Sequence, residues 1–311
     1  MSRKTRLTPV TIVVFIDGSS RGRFLDFHDS LSEFRAMNAT VVTSSHQPAK
    51  STEIAERFVA ARLERRSLPG FPGVEPRAMA EAYAIQDIAI DLFPDRLAGW
   101  KVGGVAASLQ ATLGVHRLAG AVFDRNVWFY DGRAPTLLPV INGGFAAVEA
   151  EFIARIGADV DPLKTEWTLN EARNVVDKVF VGVELAGSPL ASINDLGPTV
   201  VAADFGNNGG VVVGPEVKNW REQIDDIAVE TVINGASVGR GGSRSLEGGP
   251  LESVRFLLEH CARWGRPLTA GTLVTTGAVT GVHRAQAGDE AVCIFRGVTE
   301  IHCSVVPADG D

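Results

Sequence analysis

From Gly99 onward the chain consists of short apolar runs of strand length, each cut off by glycine, and this pattern constrains the fold more than any other feature. LAGAVFDRNVWFYDG, VEAEFIARIG, GTLVTTG, EAVCIFRG and TEIHCSVV read as strands, and FVGVELAG, TVVAADFG and GGVVVGP as strand or turn. The 33 glycines, against 15 prolines, supply the corners such a body needs. Helical texture is confined elsewhere. Ser51-Thr52-Glu53 opens a helix through TEIAERFVAARLERR, LPGFPGVEP ends it, and RAMAEAYAIQDIAIDLF resumes the pattern. LNEARNVVDKV and PLESVRFLLEHCARWG read as two further helices. The sum is a mixed α/β, β-rich catalytic domain over residues 51–311, with residues 1–50 as an N-terminal extension and linker open to disorder.

The extension begins with a basic stretch and the apolar run VTIVVFI, as a secretory signal would. Asp17 follows closely, however, no small-residue cleavage site closes the run, and it falls far short of the ~20 apolar residues of a membrane span. A dispensable extension, or residues upstream of a start at Met37, is the expectation, with the cytoplasm as compartment and no membrane partner. A formal charge of −7 weighs against an extended nucleic-acid surface. Cys261, Cys293 and Cys303 form no CxxC pair, which disfavours a disulfide scaffold or a zinc-thiolate site. The chain also lacks the HExxH and GxxxxGK[ST] patterns.

Val148-Glu149-Ala150-Glu151-Phe152 is the most informative local stretch. In a strand, Glu149 and Glu151 share one face while Ala150 and Phe152 take the other. Two carboxylates so placed repel unless protonated, solvated or bridged by a hard cation. Glu184 in FVGVELAG is a candidate third oxygen ligand; a solvated strand face is the bland alternative. Lys101, enclosed in GWKVGG, suits binding of a substrate carboxylate, enolate stabilisation or proton transfer. His116 in GVHRLAG is a candidate catalytic acid or base, and His260 a packed or capping residue. Asp204, Asn207 and Asn208 in AADFGNNGG, with Thr276 in TTG, are candidate ligand contacts or turn formers. GRGGSRSLEGG reads as an active-site edge or a hairpin, with Arg240 and Arg244 available to anions.

The ordered set AYAIQD, GWKVGG, VEAEFIARIG, VGVELAG, AADFGNNGG, VINGASV and GTLVTTGAVTG resembles the 2-keto-4-pentenoate hydratase family of the fumarylacetoacetate hydrolase superfamily, over about residues 51 to 308. The resemblance implies a fumarylacetoacetase C-terminal-domain-like fold with N-terminal helices, a homo-oligomer, and a Mg2+ or Mn2+ site on Glu149, Glu151 and Glu184 with Lys101 in the pocket. The implied reaction is addition of water to a 2-hydroxy-2,4-dienoate, giving a 4-hydroxy-2-oxo acid, so the expected partner is a small 2-oxo acid. The alternatives are a 2-oxo-3-enedioate decarboxylase, an acylpyruvate C–C hydrolase and a non-catalytic relative. Two departures bear on the pocket. A family acid after GWK is replaced, by Ala119 or with a gap by Asp124, and Gly187 and Pro189 stand where the family has an acid and an arginine.

Overall fold

Strand alternation organises the centre of the structure, a computed structural model that describes residues 47–308. The expectation for the N-terminal extension falls, up to residue 46, outside the described residues, as does the start at Met37. The two longest strands, β5 (Phe145–Ile156) and β6 (Val176–Ser188), pair antiparallel with Glu149 opposite Glu184 and Glu151 opposite Gly182. Both faces of β5 are covered. Phe152 meets Phe295 edge-on at 6.0 Å on one face, while Ile153 packs with Val122, Val211 and Val213 on the other.

That pair lies within an eight-stranded sheet. Its remaining members are β1 (Leu97–Gly104), β2 (Arg117–Phe123), β3 (Val127–Phe129), β7 (Asn208–Glu216), β10 (Leu273–Thr275) and β11 (His283–Arg284). The order is β2-β1-β10-β5-β6-β7-β3, with β11 pairing the beginning of β5. The sheet curls until β2 approaches β7, so one face becomes the inside of a half-barrel. The late strand β10 enters between β1 and β5, parallel to the first and antiparallel to the second.

Five strands form the second sheet, in the order β4 (Thr136–Val140), β13 (Thr299–Pro307), β12 (Glu290–Phe295), β8 (Val229–Ile233) and β9 (Ala236–Gly241). Asn234 and Gly235 join β8 to β9 with φ of 50° and 80°, the left-handed pair that a tight hairpin of the right twist requires. GRGGSRSLEGG therefore begins as the end of this hairpin and then leads into a helix.

The helices cover the outside. They are α1 (Gln47–Leu63), α2 (Met79–Leu92), α3 (Ala107–Leu113), α4 (Leu169–Val175), α5 (Pro198–Ala203), α6 (Trp220–Gln223) and α7 (Gly249–Arg263). α1 starts at Gln47, four residues before the expected Ser51. α7 buries Val254, Leu257, Leu258 and Cys261 at helical spacing, each worth about 1.5–3 kcal/mol on full burial for the aliphatic side chains. Thr168 caps α4 reciprocally with Glu171, but the helix ends at Val175, and VDKV, expected as its continuation, begins β6. TVVAADFG also differs from expectation: its β-branched run is α5, opened by Pro198 at its first turn. No helix among the described residues is long and apolar enough to cross a membrane.

A strained corner follows α5. Phe205, Gly206 and Asn207 all have left-handed backbones, with φ of 49°, 64° and 63°. They press against Gly120 of β2, where a Cβ would stand 2.0 Å from the Phe205 carbonyl oxygen. Only glycine admits this approach, which delivers Asn208 to the start of β7.

Candidate active site

The register of β5 and β6 puts Glu149, Glu151 and Glu184 on the inside of the half-barrel, with one carboxylate oxygen from each lying within 4.8 Å of the other two. Glu151 and Glu184 are fully buried and Glu149 is 5 % exposed. Lys101 on β1 closes the cluster, its Nζ 3.5 Å from Glu184 Oε1. The lysine and the three glutamates are thus together.

Neighbouring elements supply further donors. Asn208 Nδ2 donates to Glu184 Oε1 at 2.8 Å, Thr275 Oγ1 to Glu184 Oε2 at 3.4 Å, and the Gly277 N–H to Glu151 Oε2 at 2.7 Å. Among the described residues, Glu151 Oε1 has no hydrogen-bond partner. A buried carboxylate oxygen without a donor is costly, and a cation would satisfy it.

The charge balance leads the same way. Two ionised carboxylates 4.8 Å apart repel by roughly 3–4 kcal/mol at an effective dielectric of about 20. Three carboxylates and one ammonium leave two negative charges in a buried space. Burial, with Glu184 adding to it and Lys101 opposing, pushes Glu149 up to about 7. Burial and the two neighbouring carboxylates lift Glu151 far above the usual carboxylate range, against the pull of Lys101 and the Gly277 N–H. For Lys101, burial acts to lower the pKa, but the combined field of Glu184, Glu149 and Glu151 outweighs it and keeps the ammonium charged. The donor set, all hard oxygens with an unsatisfied member, fits a divalent metal.

A pH-dependent stability follows from these directions. Because Glu149 ionises near 7 when folded and near 4.5 otherwise, the metal-free protein binds more protons folded than unfolded. Its stability from this group is complete below pH 4.5 and is lost as pH rises through 7. A bound cation reverses the trend, since it requires the ionised forms. The rise in Tm on adding Mg2+ should be small at pH 5 and grow steadily to pH 8. An equal rise at both pH values in thermal unfolding scans would contradict the three-carboxylate cluster.

The other candidate residues sit differently. His116 lies just before β2, mostly exposed, with Nδ1 3.4 Å from Glu247 Oε1, and no hydrogen bond or ion pair joins it to the cluster among the described residues. Asp204 is buried and accepts from Arg62 Nε and Ser188 Oγ, both at 2.6 Å. Asn207 Nδ2 donates to Asn194 at 3.4 Å, and Thr276 Oγ1 to the Phe152 carbonyl at 2.8 Å. His260 is packed among Tyr83, Trp100, Phe256 and Trp264, and burial lowers its pKa to about 4.

The replaced family acid is located by register. Ala119 is opposite Val102, with its N–H donating to Tyr83 Oη and its carbonyl accepting from Gln86, so it looks away from Lys101. Asp124 is at the surface, paired with Arg96. On the face of Lys101 stands Leu118, opposite Gly103: a Cβ at Gly103 would lie 3.5 Å from Leu118 Cδ1 and 3.6 Å from Lys101 Nζ. The wall beside the lysine is therefore apolar.

Sequence reasoning did not find Arg62. Its guanidinium reaches from α1 to the carbonyls of Gly187 at 3.0 Å and Asn208 at 2.8 Å as well as to Asp204, so the corner without an arginine at Pro189 receives one from a helix. Nothing in the local spacing of α1 announces this, because the contact spans 142 residues.

A carboxylate triad, a charged lysine and a curled sheet define a class of β-rich domain whose centre could coordinate a metal. Residues 127–306 match the family described as fumarylacetoacetate (FAA) hydrolase C-terminal. A 2-keto-4-pentenoate hydratase of Paraburkholderia xenovorans is 30% identical over 226 residues, covering 71% of this chain and 81% of the relative. A 4-oxalocrotonate decarboxylase of a Pseudomonas species is 25% identical over 247 residues, covering 78% and 93%. Among solved structures, 4-oxalocrotonate decarboxylase from Pseudomonas putida G7, complexed with magnesium and adipate, superposes with a TM-score of 0.69 at 21% identity, covering 86% of this chain and 99% of that one. This chain belongs to the fumarylacetoacetate hydrolase superfamily and, within it, to the 2-keto-4-pentenoate hydratase-like family. Its fold is the one expected from the resemblance.

Proposed function

We propose that this chain is a divalent-metal-dependent decarboxylase of a 2-oxo-3-enedioate. The observation that carries the reading is the oxygen-only triad with one charged lysine beside the apolar wall of Leu118. Glu149, Glu151 and Glu184 would hold Mg2+ or Mn2+, which supplies Lewis acidity toward negative charge developing on a 2-oxo group. In the reaction the bond between C5 and the distal carboxylate breaks. Its electron pair forms the C4–C5 double bond, the original double bond moves to C2–C3, and the C2 oxygen takes the charge. Carbon dioxide leaves, and one proton on that oxygen gives 2-hydroxypenta-2,4-dienoate. Lys101, kept as an ammonium, donates a hydrogen bond to the anionic end of the substrate and stabilises the charge as it arrives. No base is needed to activate water, which agrees with an apolar residue at 118 and with His116 outside the cluster.

Hydration is the second reading, favoured by the 30% identity to a hydratase. It requires water to be activated beside the same lysine. The two are separated by offering the Mg2+-loaded protein 2-oxohex-3-enedioate and 2-hydroxypenta-2,4-dienoate in parallel, reading carbon dioxide and product mass. Carbon dioxide from the first, with the second left unchanged, supports decarboxylation. A product one water heavier from the second, with no carbon dioxide from the first, overturns it in favour of hydration.

A further inference from the structure

On β5 the row of Glu151 and Glu149 continues through Ala147 to Phe145, and β11 pairs with this end: Arg284 is opposite Ala147 and His283 opposite Val148. Directly paired antiparallel residues point to the same face, so Arg284 stands on the face of the carboxylates and His283 on the other. The contacts agree. Arg284 Cζ lies 4.7 Å from the centroid of the Phe145 ring, whereas His283 Nε2 is 3.0 Å from the Thr280 carbonyl oxygen. The β5–β6 pair between that end and the cluster is Ala147 and Ala186, both small and both buried. Within the triad only Glu149, the member nearest Arg284, keeps any surface.

Arg284 is exposed and, among the described residues, has no carboxylate within ion-pair distance. The other guanidinium at this end, Arg62, is already neutralised by Asp204. We propose that Arg284 binds the distal carboxylate of a dicarboxylic 2-oxo acid whose 2-oxo end occupies the triad, an assignment that rests on the reading above. The span agrees: Phe145 is four residues from Glu149, roughly 13 Å along a strand. An extended six-carbon diacid measures roughly 8–9 Å between its outermost oxygens, leaving one polar contact at each end. A monoacid of the same length leaves the guanidinium without a partner.

The test titrates the full-length, Mg2+-loaded protein calorimetrically with 2-oxoadipate and with 2-oxohexanoate, which differ only in the distal carboxylate and lack the double bond that decarboxylation uses. The expected result is a preference of about 10-fold for the diacid, the size of one charge-assisted contact. Arg284→Gln should abolish that preference and leave the monoacid unchanged, and Arg284→Lys should restore part of it. In turnover, Arg284→Gln should raise KM for the enedioate without lowering kcat, because the ion pair holds a charge that departs in the transition state. Equal affinity of the native protein for both acids, or a preference that survives Arg284→Gln, overturns the assignment while leaving the proposed reaction standing. Binding of neither acid by a protein that does bind Mg2+ removes the underlying reading and the assignment with it.

Discussion

Glu151→Gln should abolish Mg2+-dependent turnover and weaken Mg2+ binding by at least about 100-fold, beyond the 10- to 100-fold typical of groups that merely support a ligand. Among the described residues its Oε1 is a buried oxygen with no hydrogen-bond partner, and its other oxygen is fixed by the Gly277 N–H, so the carboxylate has no second position from which to bind. The same substitution should not lower the Tm of the EDTA-treated protein. An amide of equal shape removes an ionisation that burial and two neighbouring carboxylates already oppose. Titration calorimetry and thermal unfolding on one preparation read both effects. Native-like Mg2+ affinity in the variant would exclude Glu151 as a ligand.

Lys101→Met should separate stability from catalysis in the opposite sense. With the ammonium removed, three buried carboxylates lose the only side-chain cation in contact with them among the described residues, and breaking such a buried arrangement costs about 3–5 kcal/mol. The metal-free variant should therefore unfold at a markedly lower temperature, and Mg2+ should restore most of the loss. Turnover of the Mg2+-loaded variant should still fall about 100- to 1,000-fold, the effect of losing one donor to a developing anion. A variant that stays unstable at saturating Mg2+ would assign Lys101 to packing instead.

Legibility in the sequence followed the range of the interaction. Glu149 and Glu151 were readable because strand alternation acts over two residues, and Lys101 because its apolar and glycine neighbours described an enclosed strand. Glu184 was a candidate from its short apolar segment FVGVELAG, but its place opposite Glu149 needed the register of a second strand. At the replaced acid a slip of one residue exchanges the faces of a strand, which is why Ala119 and Leu118 are easily confused without the pairing of β1 and β2. α5 was misread because Val200 and Val201 mimic a strand, although Pro198 was the available signal for a helix start. The ion pair of Arg62 with Asp204 is purely tertiary, and the exposure of His116 depends on where β2 begins rather than on its neighbours.

The position of β10 sets a timetable for the making of this protein. Gly277 follows Glu151 by 126 residues, so at 5–20 residues per second the ribosome finishes the donor roughly 6–25 s after the carboxylate it will hold. During that interval β1 and β5 lack the strand that later lies between them, and the acidic row lacks the Gly277 donor. A chain halted before Leu273 therefore carries all three carboxylates and Lys101 but lacks both the Gly277 N–H and the strand between β1 and β5.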